Sequence, residues 1–197
     1  GFALDEGKIT RQTRFVDVFP EFNNKKDKYL EKLTIHQLLC MTAGKQTAIR
    51  GSRSDDWLKV FVKAKWIFEP GTSWRYVNDN YYIASKMLCK VLGESISDYL
   101  TPRLFEPLGI DVPFWEHSPD GVEAGGWGLM LKTEDIAKLV LCYQNKGKYN
   151  GIQVIPEWWT REATSFISDN SVSEKEPDAS AGYGCGFWRC GGMENTY

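Results

Sequence analysis

No apolar run in the chain approaches the ~20 residues that a membrane-spanning helix needs. Neither sign of charge dominates. A formal net charge of -2 leaves no electrostatic footprint for nucleic acid, and no nucleic-acid partner is expected. Histidine is scarce: His36 and His117 are the only two. The cysteines Cys40, Cys89, Cys142, Cys185 and Cys190 contain no Cys-x-x-Cys pair. A zinc centre is therefore not expected, and no metal is assigned. Five is an odd count, which argues against a disulfide framework, and most of these residues read as buried thiols. Cysteine usage alone leans towards a reducing compartment. There is no Gly-x-Ser-x-Gly elbow and no Gly-rich phosphate loop. No Ser is followed three residues later by Lys. No internal repeat and no Pro- or Ser-rich linker divides the 197 residues, which read as one structural unit.

What remains has globular composition, with 42% apolar and 25% charged residues. Eight Trp bring the aromatic share to 14%, which fits either core packing or a ring-lined cleft. The first eight residues read as the last turns of a helix stopped by Gly7. Phe15 to Pro20 reads as a short extended piece closed by proline. Thr34 and Gln37 form a capping box, and the helix after them is expected to run through Leu38, Leu39 and Met41 to Gly44. Ser54-Asp55-Asp56 opens another helix, with acids at its positive end.

Pro70-Gly71 marks a turn, and Asn80 to Val91 carries Ile83, Met87 and Val91 on one helical stripe. A further helix runs from about Ser97 to Leu104 and stops near Pro107-Leu108-Gly109. Thr133 is expected to cap a helix whose apolar face is Ile136, Leu139 and Val140. Pro156 starts another, from Glu157 to about Thr164. Residues 168–180 are polar loop, and Tyr183 to Trp188 reads as a strand punctuated by glycine. The spacing thus predicts about six helices and few strands.

For chemistry, Lys132-Thr133-Glu134 imitates a Lys-Thr-Gly strand motif, but a helix pattern follows it, so it is set aside. His36 falls within the first turn after Thr34 and reads as structural. Tyr76 and Asn78 are more informative. They stand two apart after a Pro-Gly turn and just before a helix. On an extended segment that spacing projects both side chains to one face. A phenol and an amide on one rim could orient a polar reacting group. An ordinary aromatic turn with an Asn cap explains the same spacing.

The stretch Pro70-Gly71-Thr72-Ser73-Trp74-Arg75-Tyr76-Val77-Asn78 resembles the second motif of class C serine β-lactamases, D,D-peptidases and esterases of that fold. Three further blocks agree in order. Leu33-Thr34-Ile35-His36-Gln37-Leu38-Leu39-Cys40-Met41-Thr42-Ala43-Gly44 resembles the Leu-Thr-x-x-x-Leu-Leu-x-His-Thr-Ser-Gly stretch, with Met41 for the usual His and Ala43 for the usual Ser. Leu104 to Ile110 resembles the Pro-Leu-Gly-Met helix end. Gly125-Gly126-Trp127-Gly128-Leu129, with the following Lys132 to Ala137, resembles the Gly-Gly and Asp-x-Ala block. The resemblance spans roughly residues 5–190.

The resemblance implies an α/β fold of the β-lactamase/transpeptidase-like type. This segment is expected to be mainly its helical lobe plus the start of the returning antiparallel sheet. Residues 1–197 are expected to form a single partial domain truncated at both ends. The family's Ser-x-x-Lys helix would lie before Gly1, and its Lys-Thr-Gly or His-x-Gly strand after Tyr197. The implied reaction is acyl transfer to that Ser from an amide, ester or β-lactam. Tyr76 would be general base and acid, and Asn78 would hydrogen-bond the motif Lys and a substrate amide. Trp74, Trp127 and the loop around Trp115 are candidates for shaping a substrate cleft, with packing as the other role. No cofactor is implied. The partner would be a small-molecule or peptide substrate, and the location the bacterial periplasm or cell surface. The alternative is a non-catalytic relative that binds peptidoglycan-like ligands or a protein partner.

Overall fold

The computed structural model describes residues 1–23, 27–177 and 179–191. It is helix-rich. Short helices α1 (Phe2–Asp5), α2 (Phe15–Val18), α3 (Ile35–Leu39) and α4 (Trp57–Lys63) precede the longest one, α5 (Asp79–Leu92). Then follow α6 (Ile96–Leu100), α7 (Glu106–Leu108), α8 (Thr133–Gln144), strands β1 (Lys148–Tyr149) and β2 (Ile152–Gln153), and α9 (Glu157–Ala163). The β1–β2 hairpin is antiparallel and is the only sheet among the described residues. Asn150 and Gly151, both at positive φ, form its two-residue turn, the conformation that matches strand twist.

Helix α5 is the centre of the packing and touches α2, α3 and α6. Its Tyr82, Ile83, Ala84 and Met87 enter the main core with Phe15, Leu33, Leu38 and Phe61. Full burial of each large side chain contributes ~1.5–3 kcal/mol. Gly93 ends α5 in the left-handed conformation, where a Cβ would be strained. A second core gathers Phe105, Leu108, Ile110, Cys142 and Val154, which seats α8 and the hairpin beside α7. Between α6 and α7 the chain passes through a π-helical stretch, Thr101–Phe105. Pro102 lacks the N–H that a regular ladder requires there.

The capping box on α3 forms as expected. Thr34 Oγ1 accepts from the Gln37 N–H, and Gln37 Oε1 accepts from the Thr34 N–H. Several local expectations are overturned. Phe15–Val18 is a helical turn and not an extended piece. Helical spacing lets Phe15 and Phe19 pack at 5.0 Å, with both buried. Helix α3 stops at Leu39, because Met41 turns into the left-handed region at φ 59°. Thr133 is the first helical residue of α8, and Lys132 occupies the cap without a side-chain hydrogen bond.

On α8, Ile136 and Val140 are about half exposed. The inward register is Asp135, Leu139 and Cys142. Asp135 tolerates burial because Lys138 Nζ pairs with it at 2.8 Å. Tyr183 to Trp188 is not a continuous strand. Tyr183 bridges Ser168 and Trp188, and the residues between form a turn closed by Gly184 N–H donating to the Phe187 carbonyl at 2.9 Å. Among the described residues, no helix is long and apolar enough to cross a membrane.

Candidate active site

The segment that leads into α5 is tied to the loop that leaves α3. Gly71 N–H donates to the Thr42 carbonyl at 2.8 Å, and Arg75 N–H donates to the Met41 carbonyl at 2.9 Å. Gly71 sits at φ 87°, and a Cβ there would stand 2.9 Å from Gln37 Nε2, so this turn requires glycine. Next to it, Thr42, Thr72, Trp74, Ser168 and Asp169 line a cavity of about 190 Å³. A small-ligand site commonly occupies ~300 Å³ or more. A larger cavity of about 410 Å³, lined by Leu4, Asp5, Arg11 and Trp158, shares no residue with the Tyr76 rim.

Tyr76 is 43% exposed. Three rings brace it: Trp188 at 5.2 Å, Tyr183 at 6.3 Å and Trp74 at 6.4 Å. These rings also contact one another, with Trp74 and Tyr183 almost fully buried. Burial pushes the Tyr76 phenol above its ordinary value, the opposite of what a neighbouring cation would do. The Tyr183 segment is held in place because Ser168 bridges to Tyr183 and its Oγ donates to the Cys40 carbonyl at 3.0 Å. Tyr81 OH donates to the Leu39 carbonyl at 2.8 Å and lies 3.4 Å from Tyr183 OH.

Asn78 departs from the extended geometry expected of it. It has helical dihedrals, φ -54° and ψ -34°, and occupies the N-cap of α5. Its side chain makes no capping hydrogen bond, and the residue is exposed. The cap explanation of this Asn therefore does not describe what its amide does. The next residue, Asp79, is buried, and its Oδ2 accepts from the Ile49 N–H at 2.8 Å.

The Gly125-Gly126 loop presses on the same helical turn. A Cβ on Gly126 would fall 2.3 Å from the Asn78 carbonyl oxygen, and one on Gly125 2.5 Å from that of Tyr81. Only residues without a Cβ allow this approach. Behind the loop, the buried Glu123 carboxylate accepts from the N–H groups of Ile96 and Ser97 at 3.2 and 3.1 Å. Burial raises its pKa, but these N–H donors outweigh that and leave it below the ordinary carboxylate value.

Trp127 stands in a different group. Its ring packs on Trp57 at 5.8 Å and Tyr82 at 6.5 Å. Its Nε1 donates to Glu116 Oε1 at 2.9 Å, and Trp115 Nε1 donates to its carbonyl at 3.1 Å. Thus Tyr76 and Trp74 come together, while Trp127 packs against the main core. Tyr183 and Trp188 complete the rim, and sequence reading did not single them out for it. Their alternation of rings and glycines signals an irregular aromatic segment. Nothing local announces that it returns to Tyr76 from more than a hundred residues away.

His36, Cys40 and Cys185 converge, with Cys40 Sγ 3.3 Å from Cys185 Sγ. The Cys40 sulfur stands 3.5 and 3.8 Å from the two ring nitrogens of His36. Such near equality places it over the ring and not along a nitrogen lone pair. Contact with Cys185 and burial push the Cys40 thiol far up, away from the thiolate that a metal binds. All five cysteines are free.

A profile of the Beta-lactamase family matches residues 3–197. Penicillin-binding protein 4 of Amycolatopsis lactamdurans is 32% identical over 113 residues, covering 54% of this chain and 30% of its own length. A Bacillus anthracis structure described as a 6-aminohexanoate-dimer hydrolase superposes with a TM-score of 0.75 at 18% identity, covering 94% of this chain and 54% of that one. The octameric penicillin-binding protein homologue from Pyrococcus abyssi gives 0.68 at 18% identity, covering 93% and 48%. The chain therefore spans about a third of the curated relative and about half of these solved structures. With the family profile covering nearly every residue, the chain belongs to the β-lactamase family and has the β-lactamase/transpeptidase-like fold.

Proposed function

We propose that this chain carries the Tyr-x-Asn half of a serine acyl-transfer site, completed by a nucleophile from outside residues 1–197. One observation carries the reading. Tyr76, 43% exposed, stands two residues before Asn78, whose amide is not spent on capping, at the start of a helix pinned on several sides. In this reading the phenolate of Tyr76 takes the Ser Oγ proton as the Ser–acyl bond forms. The resulting phenol then protonates the leaving group as its bond to the acyl carbon breaks. Water resolves the acyl-enzyme.

Asn78 orients the substrate amide and the Lys that accompanies the nucleophile. A Tyr titrating near ~10 is a poor base at neutral pH. Since burial raises Tyr76 further, a cation from outside the chain has to lower it. The substrate is a small molecule or peptide with an amide, ester or β-lactam carbonyl. The full-length protein belongs in the bacterial periplasm or at the cell surface.

The upward pull on Tyr76 also supports a second reading, a non-catalytic relative that uses the aromatic rim to bind peptidoglycan-like ligands or a protein. Tyr76→Phe in the full-length protein separates them. The first reading expects hydrolysis of a p-nitrophenyl ester to fall about a hundredfold or more, the scale of general-base catalysis. Wild-type turnover by the Phe variant rejects Tyr76 as base.

A further inference from the structure

We propose that Met41 is a positioning residue for Tyr76 and Asn78, its thioether sulfur and carbonyl together suspending the turn that presents them. The inference rests on reading Tyr76 as the base.

Met41 has three unusual properties at once. It is completely buried. It is one of three non-glycine residues at positive φ among the described residues, at 59°. For a Met that conformation is strained, and the surroundings must offset the strain. Its sulfur also lies within reach of two donors, Val77 N–H at 3.4 Å and Asn80 Nδ2 at 3.5 Å.

The carbonyl of Met41 accepts from Arg75 N–H at 2.9 Å. Residues 75 and 77 are therefore both tied to Met41, one on each side of Tyr76. Residue 80, also tied to it, lies just beyond Asn78. The left-handed turn is what aims carbonyl and sulfur at the same segment. Sulfur is a weak acceptor, yet for these two donors it is the partner the fold provides. Asn80 is 1% exposed, and its Oδ1 has no hydrogen-bond partner among the described residues. The Asn80 amide is thus oriented through its nitrogen, by the sulfur. The side chain of Met41 also packs with Trp74 and Tyr183, two of the rings that brace Tyr76.

Leu matches Met in volume but has no acceptor. Met41→Leu would leave Val77 N–H and the Asn80 amide to find partners by shifting the turn. A displacement near 1 Å is enough to cost a reaction one or two powers of ten. Met41→His restores an acceptor nitrogen, and His tolerates positive φ better than most side chains.

The test uses full-length protein, a p-nitrophenyl ester, and melting curves for every variant. Met41→Leu is expected to lower kcat about tenfold, with KM within about twofold and little change in melting. Met41→His is expected to recover most of the lost kcat. Wild-type kcat in Met41→Leu overturns the proposal, and so does equal loss in the Leu and His variants. If Met41→Leu melts far below the parent, the His variant decides: retained kcat supports positioning and lost kcat overturns it. Tyr76→Phe is run alongside. If it alone is inactive, the base reading stands and positioning by Met41 falls. If it turns over normally, or if the parent protein is inert, the base reading fails and this inference falls with it.

Discussion

Two groups of aromatic rings meet the N-terminal half of α5, and they differ in what they leave open. In the inner group, Trp57 packs edge-on to Tyr82 and both rings are tilted against Trp127, with Tyr82 completely buried. Burial pushes the Tyr82 phenol up to about 12, out of reach of proton transfer near neutrality. In the rim group, Trp74, Tyr183 and Trp188 contact Tyr76, yet Tyr76 stays 43% exposed. Composition does not distinguish the two groups. The difference lies in the backbone: Tyr82 faces inward from a regular helix, whereas Tyr76 precedes the helix on a turn hung from Met41 and Thr42.

That contrast can be broken at either group. The largest effect belongs to the rim. Tyr76→Phe should lower acyl transfer about a hundredfold or more, equivalent to roughly 2.7 kcal/mol of barrier. It should change stability by no more than about 0.5 kcal/mol, because Tyr76 is 43% exposed. Steady-state kinetics paired with urea unfolding checks both halves. Trp127→Ala should behave inversely, losing about 2 kcal/mol of stability from ring packing and the Glu116 hydrogen bond. Its kcat should stay within a few-fold for the molecules that remain folded.

The smallest effect is expected at Glu123, which supports the loop beneath Asn78. Glu123→Gln should cost about 1 kcal/mol, since an amide accepts less strongly than a carboxylate. The sign with pH follows from its depressed folded value. Its contribution is complete above the ordinary 4.5 and is lost as pH falls through the folded pKa. The Gln variant should therefore unfold with a shallower dependence on acid than the parent, which a urea midpoint series from pH 6 to pH 3 measures.

The parts legible in the sequence were those fixed by local chemistry. Thr34 and Gln37 announce their capping box, and Asp56 caps α4 by accepting from Lys59 N–H at 2.9 Å. The stripe of Ile83 and Met87 announces α5. Four motif blocks indicated the family, which the profile match bears out.

What escaped reading depends on distance or on tertiary override. Phe15 to Val18 carries β-branched and aromatic residues but coils, because both Phe rings are buried that way. Asn150-Gly151, a strong hairpin signal, forms the β1–β2 turn. The stripe of Ile136 and Val140 has the period of a buried face, yet it is half exposed, since α8 turns Asp135 and Cys142 inward. For the site, Tyr76 and Asn78 were visible as a motif. Tyr183 and Trp188 were not, because the contact that recruits them closes a loop of more than a hundred residues.

Tyr76 and Asn78 are proposed as half a site, with the nucleophile outside residues 1–197. Reaction of the full-length protein with a fluorophosphonate or labelled penicillin, with mass mapping of the modified residue, tests it most directly. One modified Ser outside residues 1–197 is expected, labelled far more slowly in Tyr76→Phe. A label on a residue within 1–197, or equal rates in parent and variant, would contradict it.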